Sequence, residues 1–504
     1  MKKFLTILLT MCLMVNMLGI IIPSFAADHA SDVVLRVSAL KKGESTPEVI
    51  QDYSNFEDGW NAAMEIAGSE SKMRANNYDR IVVDLYADWT ATGGVFTDDW
   101  WSNGPGFDWD TIYFPDDSRV TLNLNGHTID RDLRSWELDG EVLHVDEDAD
   151  VIINNGTITG GWSRNGGGGI FLDDDAKLVL NDVHIKENRA DIDNGGGISI
   201  CDGATLIMNG GSFESNVADS GFSETYLTAN GGAIYATNAT IKLTGVAFTN
   251  NQTANRNTYG VAIYAKNCEI EMDKCTIVGN GKNEVEKDEA AGSVFYFKDS
   301  TVTIKNSTFT DNNTFYWKYG STDRGNIIMT DETSIFHLDD AAVSIDTCTF
   351  TNNKSCYIFD TYFTNDIYVT NSTFTDNTSI ILPDDWTSEE SYFRNCTFNN
   401  NKITDSKLIE KGMDCNFYST KATFYDCDLG DSTFGVDNPK IVDTNSPDGN
   451  PHGASIFGEG SLSMIVAILA LVTAIASIYL SVTSNNRKAA SVASNNAAES
   501  DEEE

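Results

Sequence analysis

An all-β solenoid, in which a chain of short strands coils and stacks in parallel from turn to turn, is the fold class that this sequence predicts. Three observations carry it: a recurring phrase that ends in an apolar landmark, a period-two pattern at a fixed distance before each landmark, and an asparagine three residues after it. The landmarks are Ile129, Ile158, Ile185, Phe213, Phe248, Ile277, Phe309, Phe350, Phe374, Phe398 and Leu429, spaced 24 to 41 residues apart. This is a repeat with variable insertions.

Seven and five residues before the landmarks stand Leu122 and Leu124, Val151 and Ile153, Leu178 and Leu180, Leu206 and Met208, Ile241 and Leu243, Ile270 and Met272, Val302 and Ile304, Val343 and Ile345, and Ile367 and Val369. Alternation of this kind is a short strand with one buried face. The last two repeats depart from it, with Ser391 and Phe393, then Ala422 and Phe424. Fourteen or fifteen residues before the landmark comes a further apolar residue, at Ile170, Ile198, Ile234, Ile263, Phe295 and Phe336, often after glycines. Each repeat is therefore expected to hold three short strands. Asn188, Asn216, Asn251, Asn280, Asn312, Asn353, Asn377 and Asn401 share one corner. An Asn side chain there tolerates left-handed backbone and can hydrogen-bond to its equivalents above and below, an asparagine ladder. Stacked at about 4.8 Å per turn, such coils form a parallel β-helix, and about eleven turns give a rod of roughly 50 Å.

The segments on either side follow from their composition. Residues 1–27 combine Lys2 and Lys3, an apolar run and the small-residue site at Ala26 and Ala27, the layout of a signal peptide; an uncleaved anchor is the alternative. In the N-terminal cap region, 28–118, the capping box formed by Ser54 and Glu57 opens a helix that places Phe56, Trp60, Ala63, Met64 and Ala67 on one face. That helix, with the strand containing Ile81, Val83 and Leu85, is expected to cover the open end of the β-helix, 119–434, whose unpaired backbone otherwise invites association. Residues 435–461 form a linker punctuated by Pro439, Pro447 and Pro451. Residues 462–482 carry no charge and are long enough to span a bilayer as one helix. Arg487 and Lys488 after them put the acidic tail, 483–504, in the cytoplasm, so the N-terminal part is expected outside a cell membrane.

Charge narrows the partners. With 75 Asp and Glu against 34 Lys and Arg, the net charge is -41, and clustered cations that nucleic acid would require are missing. No cofactor is indicated: the histidines have no metal spacing, and calcium is plausible from charge alone without a liganding motif.

Gly231-Gly232-Ala233-Ile234 followed by Phe248 and Asn251 resembles the paired GGAI and FxxN repeats of polymorphic outer-membrane-protein adhesins. Variants recur at Gly195-Gly196-Gly197-Ile198 with Phe213 and Asn216, and at Gly167-Gly168-Gly169-Ile170 with Ile185 and Asn188. The resemblance spans about 119–434 and implies surface display and adhesion, with a polysaccharide or a host or envelope protein as partner. Members of that family end in a membrane β-barrel, whereas this chain ends in a single apolar segment, which points to a single-membrane envelope. Long coils of this rung length also resemble the pectate-lyase-like superfold, which implies the right-handed form.

That superfold includes lyases and hydrolases, so an enzyme is the alternative, and a passive envelope scaffold is a second. The acid doublets Asp173-Asp174-Asp175, Asp339-Asp340 and Asp384-Asp385 read as solvated turn residues, and no catalytic residue is assigned. The enzyme reading gains if a basic residue and several acids meet on one exposed strand face. For binding, the longest insertions, about 217–230 and 314–332, should protrude along one edge, and Tyr316, Trp317, Tyr319, Asp323 and Arg324, with Trp386, form the candidate surface; packing of these aromatics onto the rod is the bland alternative. Cys275, Cys348, Cys396 and Cys427 share one repeat position with Ser307 and Ser372. Stacked buried thiols are expected there: the Ser307 rung separates Cys275 from Cys348, and Cys396 and Cys427, on adjacent rungs, have parallel Cβ vectors about 4.8 Å apart, wider than a disulfide prefers; a Cys396–Cys427 disulfide is the alternative.

Overall fold

In the computed structural model, residues 32–91, 107–108, 111–133, 139–219, 229–254, 259–281, 292–314, 334–362, 365–380, 391–401, 422–430 and 440–443 are described. All belong to one compact unit, Met1–Asp443. The expected signal peptide, most of the expected linker, the apolar segment 462–482 and the tail lie outside them. Among the described residues, no helix is long and apolar enough to cross a membrane.

Parallel strands dominate. The apolar columns run in register: Val120, Val151, Leu178, Leu206, Ile241, Ile270, Val302, Val343 and Ile367 pair in turn. The landmarks do the same from Ile129 through Phe398. Every one of them is buried, because in-register stacking puts each inward side chain on its own equivalent and excludes water along the axis. Phe309, Phe350, Phe374 and Phe398 stack with ring centroids 4.4, 4.6 and 4.9 Å apart. These two columns form the long sheet. The third, containing Leu143, Ile170, Ile198, Ile234, Ile263, Phe295, Phe336 and Phe359, forms what we term the aromatic sheet.

Several details differ from the sequence expectation. A coil holds four strands rather than three: in one turn they are Ile234–Thr237, Thr240–Thr244, Ala247–Thr249 and Gln252–Ala254. The fourth belongs to a short sheet whose inward residues, Ser163, Ala190, Ala218 and Thr253, are too small to mark a hydrophobic period. Left-handed residues separate the strands, at Asn238, Gly245 and Asn250 in that turn. At the ladder corner the left-handed residue is the one before the Asn: Glu187, Ser215, Asn250, Gly279, Asp311, Asn352, Asp376 and Asn400. In the first coil the paired residues are Val120 and Leu122, not Leu122 and Leu124. Two extra residues there are absorbed by a turn through Asn125 and Gly126, both left-handed.

The GGAI phrase has a steric cause. Gly231 has φ +70°, and a Cβ on Gly232 would lie 2.3 Å from the Gln252 carbonyl oxygen. A side chain fits at neither position.

At the N-terminal end, Leu35–Lys41 pairs antiparallel with both Glu48–Tyr53 and Tyr78–Leu85. Tyr78–Leu85 is already parallel to Arg119–Asn123, so parallel pairing reaches back before residue 119. Helix α1, Phe56–Ala67, begins one residue later than the capping box implied: Asn55 is the cap, its Oδ1 accepting from the Asp58 amide at 2.9 Å. Its buried face carries Phe56, Trp60, Ala63, Met64 and Ala67. Trp60 meets Phe114 edge-on at 5.1 Å, which seats the helix on the first inward residues of the aromatic sheet. Arg80 donates to the carbonyls of Val120 and Asp150, both at 2.8 Å, and so ties cap to coil. At the other end, Lys440–Val442 pairs with Thr423–Tyr425, adding a strand within the expected linker.

Candidate functional site on the aromatic sheet

The ladder corner is built for structure. From Asn188 to Asn377, each Nδ2 donates to the Oδ1 of the next Asn at 2.8–3.2 Å. Each Nδ2 from Asn188 to Asn401 also donates to the carbonyl of a landmark, Ile158 through Phe374. The backbone amides of Asn188 through Asn377 close the same contacts on the next Oδ1. All eight side chains are buried. Nothing there faces a ligand.

The outward face of the aromatic sheet is different. Because alternate residues point to opposite faces, Tyr264 projects outward between the buried Ile263 and Ala265. Register then aligns Ser199, Tyr235, Tyr264, Tyr296, His337 and Asp360 in one outward column. Ring centroids are 5.2 Å apart for Tyr235 and Tyr264, and 4.7 Å for both Tyr264 with Tyr296 and Tyr296 with His337, with planes within 15° of parallel. Tyr259 leans on Tyr296 and His337 at 5.2 and 6.0 Å. The rings of Tyr264 and Tyr296 have both faces covered by neighbours, so they offer edges and hydroxyl groups outward. Tyr235 is the exception, since its other neighbour in register is Ser199, which brings no ring.

Charged groups frame the C-terminal half of this column. His337 Nδ1 lies 2.7 Å from Asp360 Oδ2, both largely shielded. Lys298 donates to Asp339, which is 5% exposed, and the Tyr296 hydroxyl lies 3.4 Å from the same carboxylate. The hydrogen bond to Asp339 raises the Lys298 pKa. Burial pushes Tyr235 up to about 12 and Tyr296 higher still, with Tyr264 and Asp339 adding to the latter, so these phenols remain neutral donors. Asp339 is thus an ion-paired, shielded residue, not the solvated turn acid that its doublet implied; Asp340 is the left-handed turn residue. Two acid–base pairs and a column of phenols can bind a polar, hydroxyl-rich ligand, and can also move protons.

The insertion residues Tyr316, Trp317, Tyr319, Asp323 and Arg324, and Trp386, lie outside the described residues, as does Asp384-Asp385. Sequence reading missed the outward column, although its signal is present: a Tyr or His directly follows the inward residue in Ile234-Tyr235, Ile263-Tyr264, Phe295-Tyr296 and Phe336-His337. Of the cysteines among the described residues, Cys201, Cys268, Cys275, Cys348, Cys396 and Cys427 are free thiols. Burial pushes Cys275 up to about 11 and Cys348 to about 12, which makes them inert as nucleophiles.

Stacked parallel strands, inward apolar columns and a buried Asn ladder define this chain as a parallel β-helix repeat protein. Residues 228–429 match the family described as "Right handed beta helix region". A search of curated proteins found no match. Among solved structures, the catalytic domain of a GH87 alpha-1,3-glucanase in complex with nigerose is similar at 12% identity, with a TM-score of 0.25. The match covers 74% of this chain and 65% of that one, so the chain spans somewhat less than two thirds of that domain.

Proposed function

We propose that this is an exported surface protein, held in a cell membrane by residues 462–482, that binds a polysaccharide along the outward face of its aromatic sheet. The observation that carries the reading is the column from Tyr235 to Asp360, where phenol edges, an imidazole and carboxylates repeat at the spacing of the coils. Such a row suits repeated hydroxyl groups, which need donors and acceptors at regular intervals, and the less covered face of Tyr235 suits one sugar ring. The same row could meet the backbone of an extended protein ligand, which the test separates. Signal and membrane segments supply the display that an adhesin needs, and the insertions expected at about 217–230 and 314–332 each precede a strand of this sheet in sequence. About eleven turns, counted from the landmarks, set the length available for binding.

A second reading, a polysaccharide lyase or hydrolase, is favoured by one observation: Lys298 and His337 share this face with Asp339 and Asp360. Each base is held against a carboxylate, which argues for binding first. The test mixes purified full-length protein with plant, microbial and host polysaccharides and follows both components by size exclusion with light scattering. Co-elution without shortening is the expected result, with Tyr235→Ala weakening it at least about tenfold. Shortened polysaccharide would establish the enzyme instead. If neither component moves, glycan binding fails and a protein ligand or a scaffold role replaces it.

A further inference from the structure

On the N-terminal coils the same outward face carries a different constellation. The His144 ring is stacked between Tyr113 and Phe171, with centroids 5.2 and 5.0 Å away. Its Nδ1 lies 2.9 Å from Glu141 Oε1. Leu143 and Ile170 pair in register, so the residues that close their strands, Asp146 and Asp173, follow one above the other at the corner. One donor atom each from His144, Asp146 and Asp173 lies within 4.8 Å of the others, and all three residues are half-buried. Tyr113 donates its hydroxyl proton to Asp146, which orients that carboxylate. Cys201, the next residue in the same column, groups with Asp173 and Asp174 in the same way.

We infer that His144, Asp146 and Asp173 form a binding site for a divalent transition metal ion, of which zinc is the probe. Three features support this. Glu141 occupies Nδ1 and leaves Nε2 of a neutral imidazole for the metal, the carboxylate–histidine–metal arrangement that fixes ring and tautomer. A mixed set of imidazole and carboxylates favours zinc or its neighbours over calcium, which takes six or more oxygens. Bond lengths of about 2.0–2.1 Å put tetrahedral donors roughly 3.3 Å apart, so the present spacing closes by small side-chain rotations. Water completes the set.

The test is calorimetric titration of zinc into the full-length chain after removal of metals by chelator, near neutral pH. One tight equivalent is expected above the weak binding of an acidic protein. His144→Gln should weaken it by at least tenfold, Asp173→Asn likewise, and Glu141→Gln, which only releases the ring, by about 10-fold to 100-fold. Calcium in excess should leave the tight equivalent in place. Circular dichroism checks that each variant keeps its strands, and Asp173→Asn and Glu141→Gln carry the test if His144→Gln does not fold. No tight equivalent in the parent protein, equal competition by calcium, or unchanged zinc binding in the folded variants would each overturn the assignment.

Discussion

Two corners of the coil obey the same geometry and give opposite results. At one, Asn188 through Asn401 stack from turn to turn; at the other, Asp116, Glu147, Asp174 and Asp202 stack in register beside Asp117, Asp148 and Asp175. Parallel coils place every side chain directly over its equivalent, so the stack multiplies whatever that side chain can do to itself. An amide is donor and acceptor at once, and a column of amides satisfies itself even when buried. A carboxylate only accepts, and a column of carboxylates repels itself and has to stay in water or hold a cation. The Asn corner is therefore buried and the acidic corner is mostly exposed.

The largest expected effect breaks the first corner. Asn280 Oδ1 accepts from the Asn251 amide and from Asn251 Nδ2, each at 3.0 Å, and its own Nδ2 donates to the Phe248 carbonyl at 2.9 Å. Asn280→Ala strands the Asn251 N–H and the Phe248 carbonyl in a dry interior. Each stranded group costs about 1–3 kcal/mol, so the expected loss is about 2–6 kcal/mol in denaturant unfolding. A loss below about 1 kcal/mol would show that water or relaxation replaces the ladder.

A milder version lies on the Cys and Ser column. The Cys275 amide donates to Ser307 Oγ at 3.0 Å, and the Ser307 hydroxyl donates to the Lys305 carbonyl at 2.7 Å. Ser307→Ala leaves that amide unpaired and is expected to cost about 1–2 kcal/mol. Ser307→Cys should cost less, because Cys348 holds the same position with its Sγ at 3.4 Å from the Asp346 carbonyl. Equal losses for both variants would show that packing, not the hydroxyl, sets this position.

Inward residues were the legible part of this fold, because large apolar side chains at a fixed spacing leave a strong period. The landmark register and the apolar face of α1 could be read for that reason. The fourth strand could not, since Ala190 and Ala218 fill their narrow corner without any hydrophobic signal. The two-residue offset in the first coil hides in a turn, where Asn125 and Gly126 lengthen the chain without disturbing the pairing on either side. The outward column was legible only in retrospect: a single Tyr per turn reads as noise until register stacks Tyr235, Tyr264 and Tyr296. Likewise Asp146, Asp173 and Cys201 lie 27 and 28 residues apart and become neighbours only through coil pairing. Function on such a rod is written in columns, whereas sequence presents it in rows.

The smallest expected effect sharpens the contrast from the acidic side. Repulsion from Asp116, then burial, Asp148, Asp173 and Asp174, raises the Glu147 pKa. A carboxyl with a raised folded-state pKa binds its proton more readily folded than unfolded. Its ionised form therefore destabilises the fold at neutral pH, and the penalty is relieved as pH falls through the folded-state pKa. Glu147→Gln removes the charge and keeps the shape. It should raise Tm slightly near neutral pH in the presence of chelator, and the gain should vanish as pH falls through the raised folded-state pKa and the parent residue takes up its own proton. Added salt should shrink the gain as well, since these groups face solvent. A gain that persists at low pH and high salt would mean that Glu147 strains the turn by its shape, and the two corners would then differ in packing rather than in charge.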